Sequence, residues 1–333
     1  MKTFSPDLAH EEIFEGLKPE MAFDENLDYD SWRAALGKKL TELLGEMPNK
    51  VPLDIQIEWE KDGGEYIEKR FSFCAESLTR VPCHLLIPKN AKKPCPVVIC
   101  LQGHSTGMHI SLGRTKYEGD RIINDRDTAI QAVGEGYAAL TIEQRALGER
   151  KSEKVDRSIT CAHPSMVALL IGRTLLGERV WDVSRSIDAM EEFDEIDTGK
   201  VGCMGGSGGG TATFYAACMD ERIKIAMPSC SVCTFRDSIV PMHHCTCNYI
   251  PHIAKYADMG DLAGLIAPRP LVVVAGREDE IFKISGVMET FEIMKKIYKK
   301  AGYPDNCRLV IGEGGHRFYA DPSWDVFRSL TNW

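Results

Sequence analysis

The strongest constraint in the sequence is a glycine-dense run, Val201-Gly-Cys-Met-Gly-Gly-Ser207-Gly-Gly-Gly-Thr211, which joins a short apolar stretch to a helix-compatible segment at 212–219. It predicts a strand, a sharp turn and a helix, with Ser207 at the apex. Gly205-x-Ser207-x-Gly209 fits a nucleophile elbow, in which the turn is so tight that only glycine fits around the serine. An ordinary glycine turn and a phosphate loop share this composition. A phosphate loop of the P-loop type needs Lys-Ser/Thr after the glycines, and Gly210-Thr211 stands there instead. A nucleophilic serine also needs a base, an acid to orient that base, and donors for the developing oxyanion.

Apolar runs at 96–101, 137–142, 201–204, 223–227 and 271–275 do not alternate with polar residues, as expected for strands buried on both faces. Helix-compatible segments at 122–135, 166–193, 211–219 and 285–301 accompany them. That alternation predicts an α/β fold, a mostly parallel sheet with helices on both faces. Upstream, 54–59 and 66–73 alternate around Asp62-Gly-Gly64 and predict a hairpin; a strand at 81–87 follows, so the sheet is mixed. Residues 1–50 read as a peripheral helical arm. Its helix is capped by Ser31, carries Trp32, Leu36, Leu40, Leu43 and Leu44 at helical spacing, and stops at Gly45 and Pro48. Residues 51–333 form the main domain. The stretch 229–262, rich in Cys, His, Met and Pro, breaks the alternation and is expected to be an inserted lid that shapes the pocket.

The partners of an elbow serine follow in the order serine, acid, histidine. Downstream histidines are His243, His244, His252 and His316, and only His316 also follows a candidate acid beyond the strand at 271–275. It sits in the glycine-flanked loop Gly312-Glu-Gly-Gly-His316, so it is the expected base. Three carboxylates, Glu278, Asp279 and Glu280, follow that strand. Asp279 is the expected acid, with both glutamates solvated. One oxyanion N–H is expected from Gly208, directly after the serine, and a second from His104 in the loop Gln102-Gly-His104. The His104 side chain is equally readable as structural. Gln102, Arg145 and His244 are expected at the substrate pocket, although Arg145 reads more readily as a loop pin through Glu143 or Asp182.

Composition removes other classes. The net charge is 40 − 49 = −9, so nothing suggests a basic footprint for nucleic acid or an anionic membrane. No apolar run approaches the roughly 18 residues of a membrane span. An acidic N-terminal stretch without an export signal, together with 12 cysteines, suggests a cytoplasmic protein with reduced thiols. Cys230-x-x-Cys233 and His243-His-Cys-Thr-Cys247 carry metal-ligand residue types at a spacing that fits no zinc pattern. No metal is expected, and these residues are read as lid packing and pocket lining.

Taken together, Leu101-Gln-Gly-His104, Glu143-Gln-Arg-Ala-Leu-Gly148, Gly205-Gly-Ser-Gly-Gly209, Ala267-Pro-Arg-Pro270, Gly276-Arg-Glu-Asp279 and Gly315-His316 resemble the α/β-hydrolase fold of the acetylxylan esterase and dienelactone hydrolase-like branch. The resemblance covers residues 50–333. Ala146 replaces a glycine of the Arg-Gly-x-Gly seen in carbohydrate acetyl esterases, and Gly208 stands where such enzymes often carry Gln. The resemblance implies a serine carboxylic ester hydrolase that removes acyl groups, acetyl above all, from carbohydrates or other small esters, without metal or organic cofactor. Alternatives are a lactone, a uronic acid methyl ester or a peptide as substrate, or a non-catalytic binding protein of the same fold. Homo-oligomerisation stays open.

Overall fold

Unbroken apolar strands must be covered on both sides, and the layering follows from that need. The computed structural model describes residues 4–118, 120, 126–157 and 159–333. Helices α1 (Asp7–Glu15) and α2 (Tyr29–Leu44) precede three antiparallel strands, β1 (Gln56–Asp62), β2 (Tyr66–Glu76) and β3 (Thr79–Pro88). Then come β4 (Cys95–Leu101), α3 (Thr128–Gly134), β5 (Ala138–Ile142), α4 (Ala162–Leu170), α5 (Leu175–Met190), β6 (Ile196–Gly206) and α6 (Gly208–Met219). The chain continues through β7 (Ile223–Ser229), α7 (Ile253–Tyr256), α8 (Met259–Leu262), β8 (Leu271–Gly276), α9 (Ile284–Lys300), β9 (Cys307–Gly312) and α10 (Ala320–Leu330).

All nine strands form one sheet in the order β1-β2-β3-β5-β4-β6-β7-β8-β9. The pairings from β1 to β5 through β3 are antiparallel, and those from β5 to β9 are parallel. From β4 the chain steps to β5 on one side, then crosses back to β6 on the other. Strand order therefore reverses between β4 and β6, and a crevice opens at their carboxyl ends, where α/β sheets bind ligands.

Alternate strand residues enter different cores, as the two-residue pleat requires. Val97, Ile99 and Leu101 face a large core shared with α2, α5, α6 and α9, while Val98 and Cys100 face a second core with α3 and α10. Phe327 of α10 is fully buried in that second core, which is worth roughly 2–3 kcal/mol.

The predicted hairpin and strands stand where the sequence placed them, with three differences. The N-cap of α2 is Asp28, whose carboxylate accepts the Ser31 N–H at 3.0 Å; Ser31 itself lies inside the helix. The expected helix at 166–193 is two, because Gly172 takes a positive φ of 78° and Thr174 caps α5 through the Gly177 N–H. Of the helix expected at 122–135, residues 122–125 lie outside the described residues, 126–127 are not helical, and α3 begins at Thr128 after Asp127 at the N-cap position.

The outlying segments join the main core. From α2, Trp32, Leu36, Leu40 and Leu44 are buried in it. The stretch 229–262 contributes Val232, Phe235, Ile250, Ile253 and Met259 to the same core. It is irregular, as expected, but much of it is packed against the sheet domain, and of its described residues 229–230 and 242–245 border the crevice. Among the described residues, no helix is long and apolar enough to cross a membrane.

Candidate active site

At the end of β6 the chain reverses into α6 through Ser207, whose φ of 52° and ψ of −122° lie outside the regions ordinary residues favour. Such backbone costs on the order of 1–3 kcal/mol and persists only where neighbours enforce it. Here the Ser207 N–H donates to the Ser229 carbonyl at 2.8 Å, and the Ser207 carbonyl accepts from the Thr211 N–H at 2.9 Å. The register of β4 on β6 pairs Leu101 with Gly205, so the β4 loop lies directly against the turn. A Cβ at position 209 would stand 2.1 Å from the Leu101 carbonyl oxygen, and only glycine fits there. The result presents the serine at the crevice and leaves the first N–H groups of α6, beginning with Gly208, without intrahelical partners.

The loop after β4 is held by buried polar groups. Gln102 donates from Nε2 to Glu143 Oε1 at 2.7 Å, and its carbonyl accepts from Gln144 Nε2 at 2.5 Å. The Met108 N–H also donates to the Glu143 carboxyl at 3.1 Å. Burial pushes that carboxyl up to about 7, against the pull of the Met108 and Glu149 N–H groups. Gln102 borders the crevice, yet its amide nitrogen is committed to Glu143 and its Oε1 is buried without a hydrogen-bond partner among the described residues.

His104 follows in this loop, and its imidazole packs against the elbow. A Cβ on Gly208 would fall 2.6 Å from His104 Cε1 and 2.7 Å from Nδ1. The ring thus occupies the space of a side chain at 208, which accounts for the glycine there. His104 Nε2 lies 3.0 Å from Cys247 Sγ, so the ring joins the β4 loop to the irregular segment.

The carboxyl ends of β8 and β9 bring Asp279 and His316 together. Backbone bonds from Arg277 N–H to the Gly312 carbonyl (2.9 Å) and from Glu278 N–H to the Gly314 carbonyl (2.8 Å) tie the two loops. His316 Nδ1 lies 2.8 Å from Asp279 Oδ2. The other Asp279 oxygen accepts the N–H groups of Ile281 and Phe282 at 2.9 and 3.1 Å. Burial pushes the Asp279 carboxyl up, but the His316 bond and charge and the two N–H donors outweigh it and hold the group below its usual range. It therefore stays ionised. Glu278 and Glu280, on either side, are exposed. Phe282 stacks on the His316 ring, with centroids 5.9 Å apart and planes 17° apart.

Ser207, His316, Gln102, His104 and His244 line one cavity of about 370 Å³. His244 shares a hydrogen bond at 2.9 Å with Asn248. Burial, helped by neighbouring histidines, pulls its imidazole down to about 4, so it is neutral at physiological pH. Arg145 corrects its expected place at the pocket. It is absent from the cavity wall and buried in ion pairs with Asp182 at 2.9 Å, through two bonds, and with Glu76, so it pins the loop after β5. Of the two thiols in Cys230-x-x-Cys233, only Cys230 borders the cavity. Sequence reasoning missed Phe282 and Cys161; the latter converges with His104, Cys245 and Cys247 from a region without any local motif.

Known proteins share this fold. A protein of Bacillus subtilis (strain 168) named as a hydrolase, YtaP, is 26% identical over 305 residues, covering 90% of this chain and 99% of that one. Among solved structures, a Bacteroides fragilis NCTC 9343 protein named as an acetyl xylan esterase superposes with a TM-score of 0.78 at 18% identity, covering 93% of this chain and 83% of its own. A glucuronoyl esterase from Solibacter usitatus gives 0.71 at 17%, covering 94% and 96%. An acetyl xylan esterase from Paenibacillus sp. R4 gives 0.62 at 19%, covering 96% and 98%. These likenesses show a shared fold, a mixed and mostly parallel sheet flanked by helices. The family's sequence pattern matches residues 5–313, nearly the whole chain including the elbow and Asp279, and the protein accordingly belongs to the Abhydrolase family.

Proposed function

We propose that the protein is a serine carboxylic ester hydrolase acting on small acyl esters of carbohydrates. The observation that carries this reading is the convergence on one cavity of an elbow serine and an imidazole paired at 2.8 Å with a buried, ionised carboxylate. Ser207 Oγ attacks the ester carbonyl carbon while His316 Nε2 takes the hydroxyl proton. Asp279 holds Nδ1–H and so leaves Nε2 as the acceptor; it stabilises the imidazolium without taking a proton itself. The carbonyl oxygen becomes an oxyanion that accepts from the N–H groups of Gly208 and His104. Collapse of the tetrahedral intermediate breaks the carbonyl carbon–alkoxy oxygen bond, and His316 protonates the departing alcohol. Water then attacks the acyl-serine with His316 again as base, releasing the acid and restoring Ser207.

The cavity volume is near the lower end of the 300–1,000 Å³ usual for small-molecule sites, which suits one sugar ring with a short acyl group. The names of the structural relatives, acetyl xylan esterase, glucuronoyl esterase and methylesterase, divide between sugars that supply the alcohol and sugars that supply the acid. Arg126, which lines the cavity, favours the second class as an alternative, because a uronic acid ester sits among carboxylate-bearing neighbours. His244 and Met242 line the same cavity.

The test is turnover of p-nitrophenyl acetate, acetylated oligosaccharides and methyl-esterified uronides by the native protein and by Ser207→Ala, together with labelling by a fluorophosphonate. Activity and labelling confined to the native protein are expected. Equal activity in the two proteins, or inertness of the native protein to every ester and to the probe, would overturn the proposal.

A further inference from the structure

Four soft or borderline donors converge beside the cavity, from three separate parts of the chain. His104 belongs to the loop after β4, Cys161 lies directly before α4, and Cys245 caps a tight turn at Thr246–Asn248 that contains Cys247. The ligand-type atoms of all four lie within 4.8 Å of one another. His104 Nε2 is 3.0 Å and Cys245 Sγ is 3.3 Å from Cys247 Sγ. Zinc–sulfur bonds of about 2.3 Å place the sulfurs of a tetrahedral site roughly 3.7 Å apart, so small shifts would admit an ion at the centre. Cys-x-Cys is cramped in an extended chain; here the turn between the two cysteines sends both sulfurs to the same side.

A second observation concerns charge. Arg179 of α5 is 2% exposed and lies against this cluster, donating from Nη2 to Cys161 Sγ at 3.3 Å and to the Arg145 carbonyl at 2.7 Å. Among the described residues no carboxylate forms an ion pair with it. A guanidinium buried this deeply requires a countercharge. Three thiolates around a divalent cation carry a net charge of −1, and Arg179 neutralises it.

We propose that His104, Cys161, Cys245 and Cys247 form a closed tetrahedral site for a thiophilic divalent cation, zinc foremost. Its role is structural, since four protein ligands leave no position for water or substrate. Binding converts three thiols to thiolates and releases their protons to solvent. The ion joins the loop that carries the second oxyanion donor to α4 and to the segment that roofs the cavity, and it fixes the His104 ring against Gly208. This site stands apart from the hydrolytic reading, because its test reads metal and not turnover.

Protein produced without a polyhistidine tag is assayed for metals by mass spectrometry, then stripped with a chelator and titrated with Co²⁺. We expect about one zinc per chain and, on titration, thiolate-to-cobalt charge transfer with the intense visible bands of tetrahedral cobalt. Cys161→Ser and Cys247→Ser should each lose the cobalt spectrum, whereas Cys74→Ser, distant on β2, keeps it. If the cluster variants fail to fold by circular dichroism, the native protein decides alone, through zinc content and the cobalt spectrum. A native chain without stoichiometric metal or cobalt spectrum, a disulfide among the three cysteines by peptide mapping, or cobalt binding unaltered in both folded variants would overturn the proposal.

Discussion

Replacing Asp279 by Asn changes one atom pair and should nearly abolish turnover. Asp279 Oδ1 accepts two backbone N–H groups, from Ile281 and Phe282, so the carbonyl oxygen of an asparagine is drawn to that side. Its NH₂ then faces His316 Nδ1, where an acceptor now stands at 2.8 Å. To avoid two opposed donors the imidazole keeps its proton on Nε2 and offers Nδ1 as acceptor, and this tautomer cannot take the Ser207 proton. The imidazolium also loses a carboxylate that is 4% exposed, where solvent screens it little. Wrong-tautomer substitutions in Ser-His-Asp enzymes cost roughly 10³–10⁴ in kcat, which corresponds to about 4–5.5 kcal/mol of barrier. The assay is kcat for p-nitrophenyl acetate, with circular dichroism and urea unfolding to establish that the variant folds. Glu278→Gln and Glu280→Gln, at exposed positions, should stay within about twofold of the native protein. A folded Asp279→Asn retaining more than a tenth of native kcat, or a larger loss at Glu278, would refute the reasoning.

Three further outcomes follow from the geometry. Gly208→Ala forces the new methyl into the His104 ring, 2.6 Å away, and should lower kcat about a hundredfold by shifting an oxyanion donor, with KM changing less; a variant as active as the native protein would remove His104 from that position. Arg145→Met leaves buried Asp182 with Arg150 as its close cation and should destabilise the fold by about 3 kcal/mol in urea unfolding, while KM for esters stays unchanged; a raised KM at native stability would return Arg145 to substrate binding. Glu143 carries a pH dependence. Its carboxyl stands at about 7 in the folded chain against an ordinary 4.5, so the folded state holds a proton that the unfolded state has released. This contribution is complete below about pH 4.5 and is lost as pH rises through 7, on the order of 3 kcal/mol. Glu143→Gln should therefore lose less stability than the native protein between pH 5 and 8 in urea unfolding, and parallel losses would contradict the shift.

What could be read from the sequence depended on whether the physical cause was local. The elbow is local: glycines at 205 and 209 mark a backbone that touches its neighbours, and the structure brings Leu101 within 2.1 Å of the forbidden Cβ. Strand order placed Asp279 and His316 past consecutive parallel strands, because a parallel sheet gathers the loops after its strands at one edge. Arg145 was legible as a loop pin but its place at the pocket was not ruled out, because a position after β5 says nothing of the direction of its side chain, which four buried or half-buried carboxylates and cations settle in three dimensions.

The least legible feature is the Cys/His cluster. Cys245 and Cys247 announced donor chemistry, but sequence proximity groups them with Cys230 and Cys233, which lie elsewhere. Their partners, Cys161 and His104, come from the β5–α4 and β4 loops, and no spacing rule connects them. One departure did carry a signal. Gly208, directly after the serine, has no side chain, and that space is taken up by something else. In this chain it is the His104 ring, held from behind by Cys247. A missing side chain next to the nucleophile was thus the sequence trace of an imported one, and through it the elbow is mechanically continuous with the thiol cluster. Loosening the cluster should displace the same N–H groups that Gly208→Ala displaces from the other side.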